Sequence, residues 1–228
     1  MQNRLVLLAL VVAVLLLLTG TAWADNIPIN NASFENYSPN PFTHVCGPGC
    51  GYDSGSIPGW DVTLGGSFQP GSFYNYIPDG SVVGFTNGGS ISQTLTGTSV
   101  SANSSYTLTV FVGNRTNTQN GVFTIYLDSI LNGITSTLCS VSGNAATFAA
   151  GTWQAESCTY QSGANAPAGN FFLDFVGGNG QLNVDDVTLT GPPVNAPEPS
   201  SILLLGLGSL LVIGMAKWNK GKQVLLRA

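Results

Sequence analysis

Residues 105–115 put Tyr106, Leu108, Val110 and Val112 on one side of the chain and Thr107 and Thr109 on the other. Alternation with period two belongs to an extended strand with one face on a core and one on water. Residues 122–128 repeat it, with Phe123, Ile125 and Leu127 set against Thr124, Tyr126 and Asp128, and Phe171, Leu173 and Phe175 alternate with Asp174. Less regular runs at 29–36, 60–64, 81–85, 90–95, 134–141, 152–160 and 182–190 bring the set to about ten strands, bounded by Gly, Asn and Ser turns. No helical apolar period of useful length occurs outside the two chain ends. The pattern predicts an all-β fold, a two-sheet antiparallel β-sandwich or jelly roll. Residues 37–59 and 65–80 read as long loops, which in a compact domain are commonly functional or pinned.

The ends carry different information. Residues 1–24 combine Arg4, an apolar run from Leu5 to Leu18 and the small-x-small sequence Ala22-Trp23-Ala24, the pattern of a secretory signal peptide with its helical apolar stretch. At the other end, residues 201–218 are apolar up to Lys217 and Trp218. Residues 201–216 alone make about 24 Å of helix, a little short of the usual transmembrane length. Lys217, Lys220, Lys222 and Arg227 place the tail, 219–228, in the cytoplasm. The expected organisation is therefore a leader (1–24), a sandwich ectodomain (25–191), a linker (192–200), one transmembrane helix and a basic tail, with the sandwich outside the inner membrane. Between Asp25 and Ala196 the single base, Arg115, faces ten acids, which excludes nucleic-acid binding through clustered cations. Charged residues are 7% of the chain, against about 25% in average soluble proteins, so Ser, Thr, Asn and Gly must cover the surface.

Cys46, Cys50, Cys139 and Cys158 are an even set on an exported chain, which favours two disulfides. Proximity in sequence suggests Cys46 with Cys50 and Cys139 with Cys158, although four cysteines allow three pairings. His44, Cys46 and Cys50 have a ligand-like spacing, but no second histidine completes a familiar zinc set.

Pro197-Glu198-Pro199, the Ser200-Ser201 that follows, the Leu/Gly-rich span and the basic tail resemble the PEP-CTERM sorting signal of Gram-negative, exopolysaccharide-producing bacteria. That resemblance implies processing by an exosortase at the inner membrane, and leaves the mature form either anchored or released to the cell surface or matrix. The middle of the chain resembles the galactose-binding-like jelly rolls of carbohydrate-binding modules. The residues that carry this are Asn31-Ala32-Ser33-Phe34-Glu35, Ile57-Pro58-Gly59-Trp60, Ile91-Ser92-Gln93-Thr94-Leu95 with Ser105-Tyr106-Thr107-Leu108, and Val184-Asp185-Asp186-Val187.

The jelly-roll resemblance sets the first and last strands side by side, which gathers Glu35, Asp185 and Asp186. Clustered carboxylates repel one another or recruit a cation, and calcium prefers such oxygen sets. A structural calcium on Glu35 with one or both of Asp185 and Asp186 is the implied site; the alternative is solvated strand ends. Sugar sites combine aromatic faces with amides and carboxylates. The candidates are Tyr74, Tyr76 and Asp79 in the second long stretch, and Asn114, Arg115 and Gln119 after the strongest strand. The alternative is that the loop aromatics fold back over the sandwich edge. Trp60 and Trp153 read as core. No Gly-x-Ser-x-Gly elbow accompanies the single histidine, His44, and Asp128 and Asp174 read as solvated outward positions. The expected function is thus a non-catalytic, exported sandwich that binds extracellular polysaccharide, with a self-associating matrix protein or a weak glycoside hydrolase as alternatives.

Overall fold

The computed structural model describes residues 24–117 and 120–193. Thirteen strands run through them: β1 (Asp25–Asn26), β2 (His44–Gly47), β3 (Cys50–Ser54), β4 (Asp61–Val62), β5 (Gly65–Pro70), β6 (Val83–Asn87), β7 (Ser90–Ser99), β8 (Ser105–Asn114), β9 (Val122–Leu131), β10 (Ile134–Asn144), β11 (Thr152–Gln161), β12 (Asn170–Gly177) and β13 (Gln181–Gly191). They form two antiparallel sheets. One has eight strands in the order β11-β8-β13-β6-β5-β3-β2, with β1 beside β13, and the other has five, β10-β9-β12-β7-β4. The predicted two-sheet sandwich is observed.

The alternating runs are its core. Leu108, Val110 and Val112 of β8 and Leu182, Val184 and Leu189 of β13 are buried in one cluster with Ile91, Ile125, Leu127, Leu173 and Phe175 of the five-stranded sheet. Each such side chain contributes about 1.5–3 kcal/mol on burial. Trp60 closes one part of this core, its ring 5.2 Å from that of Phe34 and 5.4 Å from that of Phe175.

Three expectations fail for identifiable reasons. Residues 29–36 are a compact turn rather than a strand. Asn31 and Phe34 take φ of 52° and 60°, and the Asn31 side chain accepts from Asn36 N and donates to the carbonyls of Asn36 and Pro58, local bonding that competes with a sheet ladder. The stretch read as loop 37–59 contains the β2–β3 hairpin. The stretch 65–80 begins with β5, which lacks alternation because Gly65 and Gly66 lie so close to the Phe85 and Asp53 carbonyls that a Cβ on either would collide. Among the described residues no helix is long and apolar enough to cross a membrane; the leader (1–24, apart from Ala24), the 201–218 span and the Pro197-Glu198-Pro199 motif lie outside the described residues.

Both disulfides pair as the proximity argument suggests: Cys46 with Cys50 inside the hairpin, and Cys139 of β10 with Cys158 of β11.

Candidate active site

A second apolar cluster lies apart from the core: Cys50, Phe68, Tyr74, Val83, Phe85 and Trp153, with Tyr52, Phe73, Ile77 and Phe111 packed against it. Strand periodicity explains where it sits. With Val110 and Val112 in the core, Phe111, Gly113 and Arg115 must point out of the opposite face of the eight-stranded sheet. On β13, Leu182 and Val184 are core, so Gln181, Asn183 and Asp185 share that outer face. Register places Asp185 opposite Phe111, Asn183 opposite Phe85 and Trp153 opposite Gly113. The outer face of this sheet is therefore aromatic, and residues 71–80 cover it.

Four main-chain contacts tie that cover down. Asn75 N donates to Gly151 O at 2.9 Å and Thr116 N to Phe73 O at 3.1 Å, Trp153 Nε1 donates to Tyr76 O at 2.9 Å, and Asp79 N donates to Asp185 Oδ2 at 3.0 Å. Tyr74 packs on Trp153 with ring centroids 4.5 Å apart. Its hydroxyl lies over Gly113, where a Cβ would stand 2.5 Å from it, so glycine is needed at that strand position.

A bulge follows Asp185 directly. The register of β13 against β8 shifts between Asp185 and Thr188, and Asp186 takes φ of 44°, a conformation that aspartate tolerates better than most residues. Without this extra residue the alternation would point Asp186 into the core and Val187 out of it; with it, Asp186 is kept from the core and Val187 returns inside. Bulges re-aim side chains in this way and are frequent beside active sites.

Polar groups in this aromatic layer are poorly satisfied. Asp185 Oδ1, both side-chain polar atoms of Asn183, Tyr74 Oη and Arg115 Nε are buried without a hydrogen-bond partner among the described residues. Such groups are costly unless a ligand or water meets them. Burial pushes the Asp185 carboxyl up to about 8, against the lowering effect of the Asp79 and Asp186 backbone bonds. Burial also raises the Tyr74 phenol well above its ordinary range and lowers Arg115. The Arg115 guanidinium lies 4.3 Å from the Phe73 ring centre and 4.7 Å from that of Phe68. Its Nη1 donates to Gln181 Oε1, and Gln181 Nε2 donates to Asn87 Oδ1 at 3.1 Å. The outer layer thus carries an acid whose neutral form burial favours at one end and a buried guanidinium at the other.

The residues proposed for sugar contact separate into two groups. Tyr74, Asn114 and Arg115 are buried, and Asn114 Nδ2 donates to Phe148 O at 2.6 Å. Tyr76 and Asp79 are exposed on the cover, and Gln119 lies outside the described residues. The rings at 73–74 fold back onto the sheet, the alternative weighed for them. Phe111, Asn183 and Trp153 complete the layer. Phe111 was hidden in a strand read only for its core face, and Asn183 in a run without alternation.

The structure does not show the calcium site read on Glu35, Asp185 and Asp186. Among the described residues no group of three or more His, Cys, Asp or Glu is placed to hold a metal. Glu35 Oε1 accepts from Ser81 N and Val82 N at 2.7 and 2.6 Å, while Asp185 turns into the aromatic layer. Asp128 and Asp174 are not solvated faces either. On the outer side of the five-stranded sheet they lie opposite Phe172 and Tyr126, Asp128 is buried, and burial raises both carboxyls, with Asp128 adding to the rise at Asp174.

The outer face of the eight-stranded sheet thus joins an acid to an aromatic layer. Residues 25–190 match the family model described as HpiC1 cyclase, and the chain belongs to the HpiC1-like cyclase family. Solved structures similar to it include an apo-form cyclase from Fischerella sp., with 22% identity over 76% of this chain and 98% of that one and a TM-score of 0.59. Another is the Stig cyclase Fisc from Fischerella sp. TAU in complex with (3Z)-3-(1-methyl-2-pyrrolidinylidene)-3H-indole, with 20% identity, 76% and 100% coverage and a TM-score of 0.60. A third is a cyclase from Fischerella sp. TAU in complex with 4-(1H-indol-3-yl)butan-2-one, with 19% identity, the same coverage and a TM-score of 0.58. At these identities the likeness is one of fold. No curated protein matches.

Family membership corrects the functional expectation. A non-catalytic polysaccharide-binding or matrix protein, and equally a weak glycosidase, is overturned by a family model that is a cyclase. The jelly-roll segments that suggested sugar binding build turns and strands of the sandwich frame, and a shared frame does not carry a shared activity. The sorting-signal, exosortase and matrix assignments gain no support from these matches, because they rest on residues beyond 190.

Proposed function

We propose that this chain is a cyclase that closes a ring in an apolar aromatic substrate, with Asp185 as the proton donor. The observation that carries this is the Asp185 carboxyl: fully buried, raised to about 8, and with Oδ1 unpartnered in an aromatic layer. Because Oδ2 already accepts from Asp79 N, the proton belongs on Oδ1. Transfer of that proton to a substrate π-bond or basic atom leaves a cation on the substrate and a carboxylate on Asp185. Attack by an internal π-bond forms the new ring bond, and loss of a proton back to the carboxylate restores the acid. The product is an isomer of the substrate, so no oxidant or co-reactant is consumed. The faces of Phe68, Phe85, Phe111, Tyr74 and Trp153 suit such a cation, and the low-dielectric setting keeps the acid neutral until it is used.

The indole compounds bound by the Fischerella cyclases support an indole as the aromatic part. The test is incubation of the full chain with an indole carrying an unsaturated side chain at C3, following conversion to a product of identical mass. Asp185→Asn keeps the acceptor for Asp79 N but has no proton to give, and a general acid contributes about 10²–10⁴-fold. We expect at least a 10²-fold loss of rate with binding of the indole retained; an unaltered rate would remove Asp185 from the reaction.

Calcium is a separate proposal in which no step of this reaction takes part. It rests on Glu35, whose Oε2 has a single long contact, 3.4 Å from Ser81 Oγ. Calcium takes six to eight oxygens, many from backbone carbonyls and water, so one carboxylate with main-chain oxygens would hold it. Export is likewise proposed, supported by the leader-like residues 1–24 and the two disulfides.

A further inference from the structure

Arg115 is the part of this site that acid-assisted ring closure does not use. It is the only Lys or Arg between Asp25 and Ala196, yet it is 7% exposed. Among the described residues no carboxylate pairs with it, and Tyr74 is its one resolved electrostatic neighbour. The Phe68 and Phe73 faces and the neutral Gln181 amide solvate one side of the guanidinium; the Nε–H has no acceptor among the described residues. A buried charge left without a counter-charge is strongly unfavourable. It also opposes the cation that ring closure creates, since like charges repel most where the dielectric is low.

Both conflicts vanish if the substrate itself brings a negative charge. The guanidinium edge carrying Nε is a planar donor pair, the shape that receives a carboxylate in two parallel hydrogen bonds. Arg115 lies four residues along the strand direction from Phe111, the register partner of Asp185, so the two poles are separated by about 13 Å of strand rise. We propose that the substrate is an aromatic compound with a carboxylate side arm, the carboxylate seated on Arg115 and the reacting end at Asp185. This rests on the aromatic layer being the ligand site.

Two probes that differ at one end test it on the full chain: 4-(1H-indol-3-yl)butan-2-one, which is neutral, and 4-(1H-indol-3-yl)butanoate. Titration calorimetry should show the carboxylate binding at least about tenfold more tightly. Arg115→Gln should erase that preference while the ketone binds as before, and Arg115→Lys, which keeps the charge but not the fork, should retain part of it. The wild-type comparison needs no variant, so poor folding of Arg115→Gln leaves the test intact. Equal affinity for the two probes, or a preference that survives in Arg115→Gln, overturns the assignment to Arg115 and leaves the cyclase reading standing. Binding of neither probe overturns the aromatic layer as the ligand site, and this inference with it.

Discussion

The two oxygens of Asp185 have unequal surroundings: Oδ2 receives the Asp79 N–H, and Oδ1 has no hydrogen-bond partner among the described residues. Burial is the largest influence and favours the neutral acid, raising its pKa to about 8. The native state therefore holds a proton that the unfolded chain releases near the ordinary aspartate value of about 4. Stability from this group is fully present below that value and declines as pH rises towards about 8, by up to about 1.4 kcal/mol per pH unit. Melting curves between pH 5 and 8 should show a falling Tm, and Asp185→Asn should flatten the slope without abolishing it, because Asp128, Asp174 and Glu156 are raised in the same direction by burial. Turnover should fall above about pH 8 as the donor form is lost. An identical Tm slope in Asp185→Asn would mean that the carboxyl is already ionised at neutral pH.

Elements differ in how openly the sequence announces them. β8, β9 and β12 show strict alternation, and the structure has them where alternation puts them, with one face on the core. β5 is hidden because its glycines answer to neighbouring carbonyls rather than to a core, and β2 and β3 because a hairpin pinned by a disulfide needs little apolar periodicity. The site was legible only in fragments. Tyr74, Arg115 and Asp185 stand out by residue type, but as sugar and metal contacts; that they share one layer follows from sheet order and inter-strand register, which no local pattern records. The segment 79–82 shows the same dependence. Asp79 N holds Asp185, while Ser81 N and Val82 N hold Glu35, so this short stretch ties the cover of the site to two distant parts of the chain. If calcium binds Glu35 there, chelation should lower Tm and Glu35→Gln should remove the response. Chelation that leaves Tm unchanged, measured by calorimetry with and without added calcium, would reduce Glu35 to an anchor for backbone amides.

At the scale of the whole sandwich, the core between the sheets and the aromatic layer lie on opposite faces of the eight-stranded sheet, so stability and chemistry draw on largely separate side chains. The Cys139–Cys158 bridge belongs to the first. β10 is the edge of the five-stranded sheet and β11 the edge of the eight-stranded one, and the bridge closes the two sheets together along that side across a sequence separation of 19. A loop of that size restricts the unfolded chain by roughly 3 kcal/mol, whereas the Cys46–Cys50 bridge, with a separation of 4, closes a loop too small to restrict it as much. Replacing Cys139 and Cys158 together by Ala should lower Tm by about 6–12 °C for a domain of this size, and replacing Cys46 and Cys50 by clearly less. The same Cys139→Ala, Cys158→Ala variant, assayed well below its Tm, should keep the pH dependence of turnover, since neither sulfur lies in the layer around Asp185. If the two double variants lose equal stability, the bridge between the edges is not the one that restrains the chain. If the pH profile shifts as well, the two faces of the sheet are coupled more tightly than their separate clusters imply.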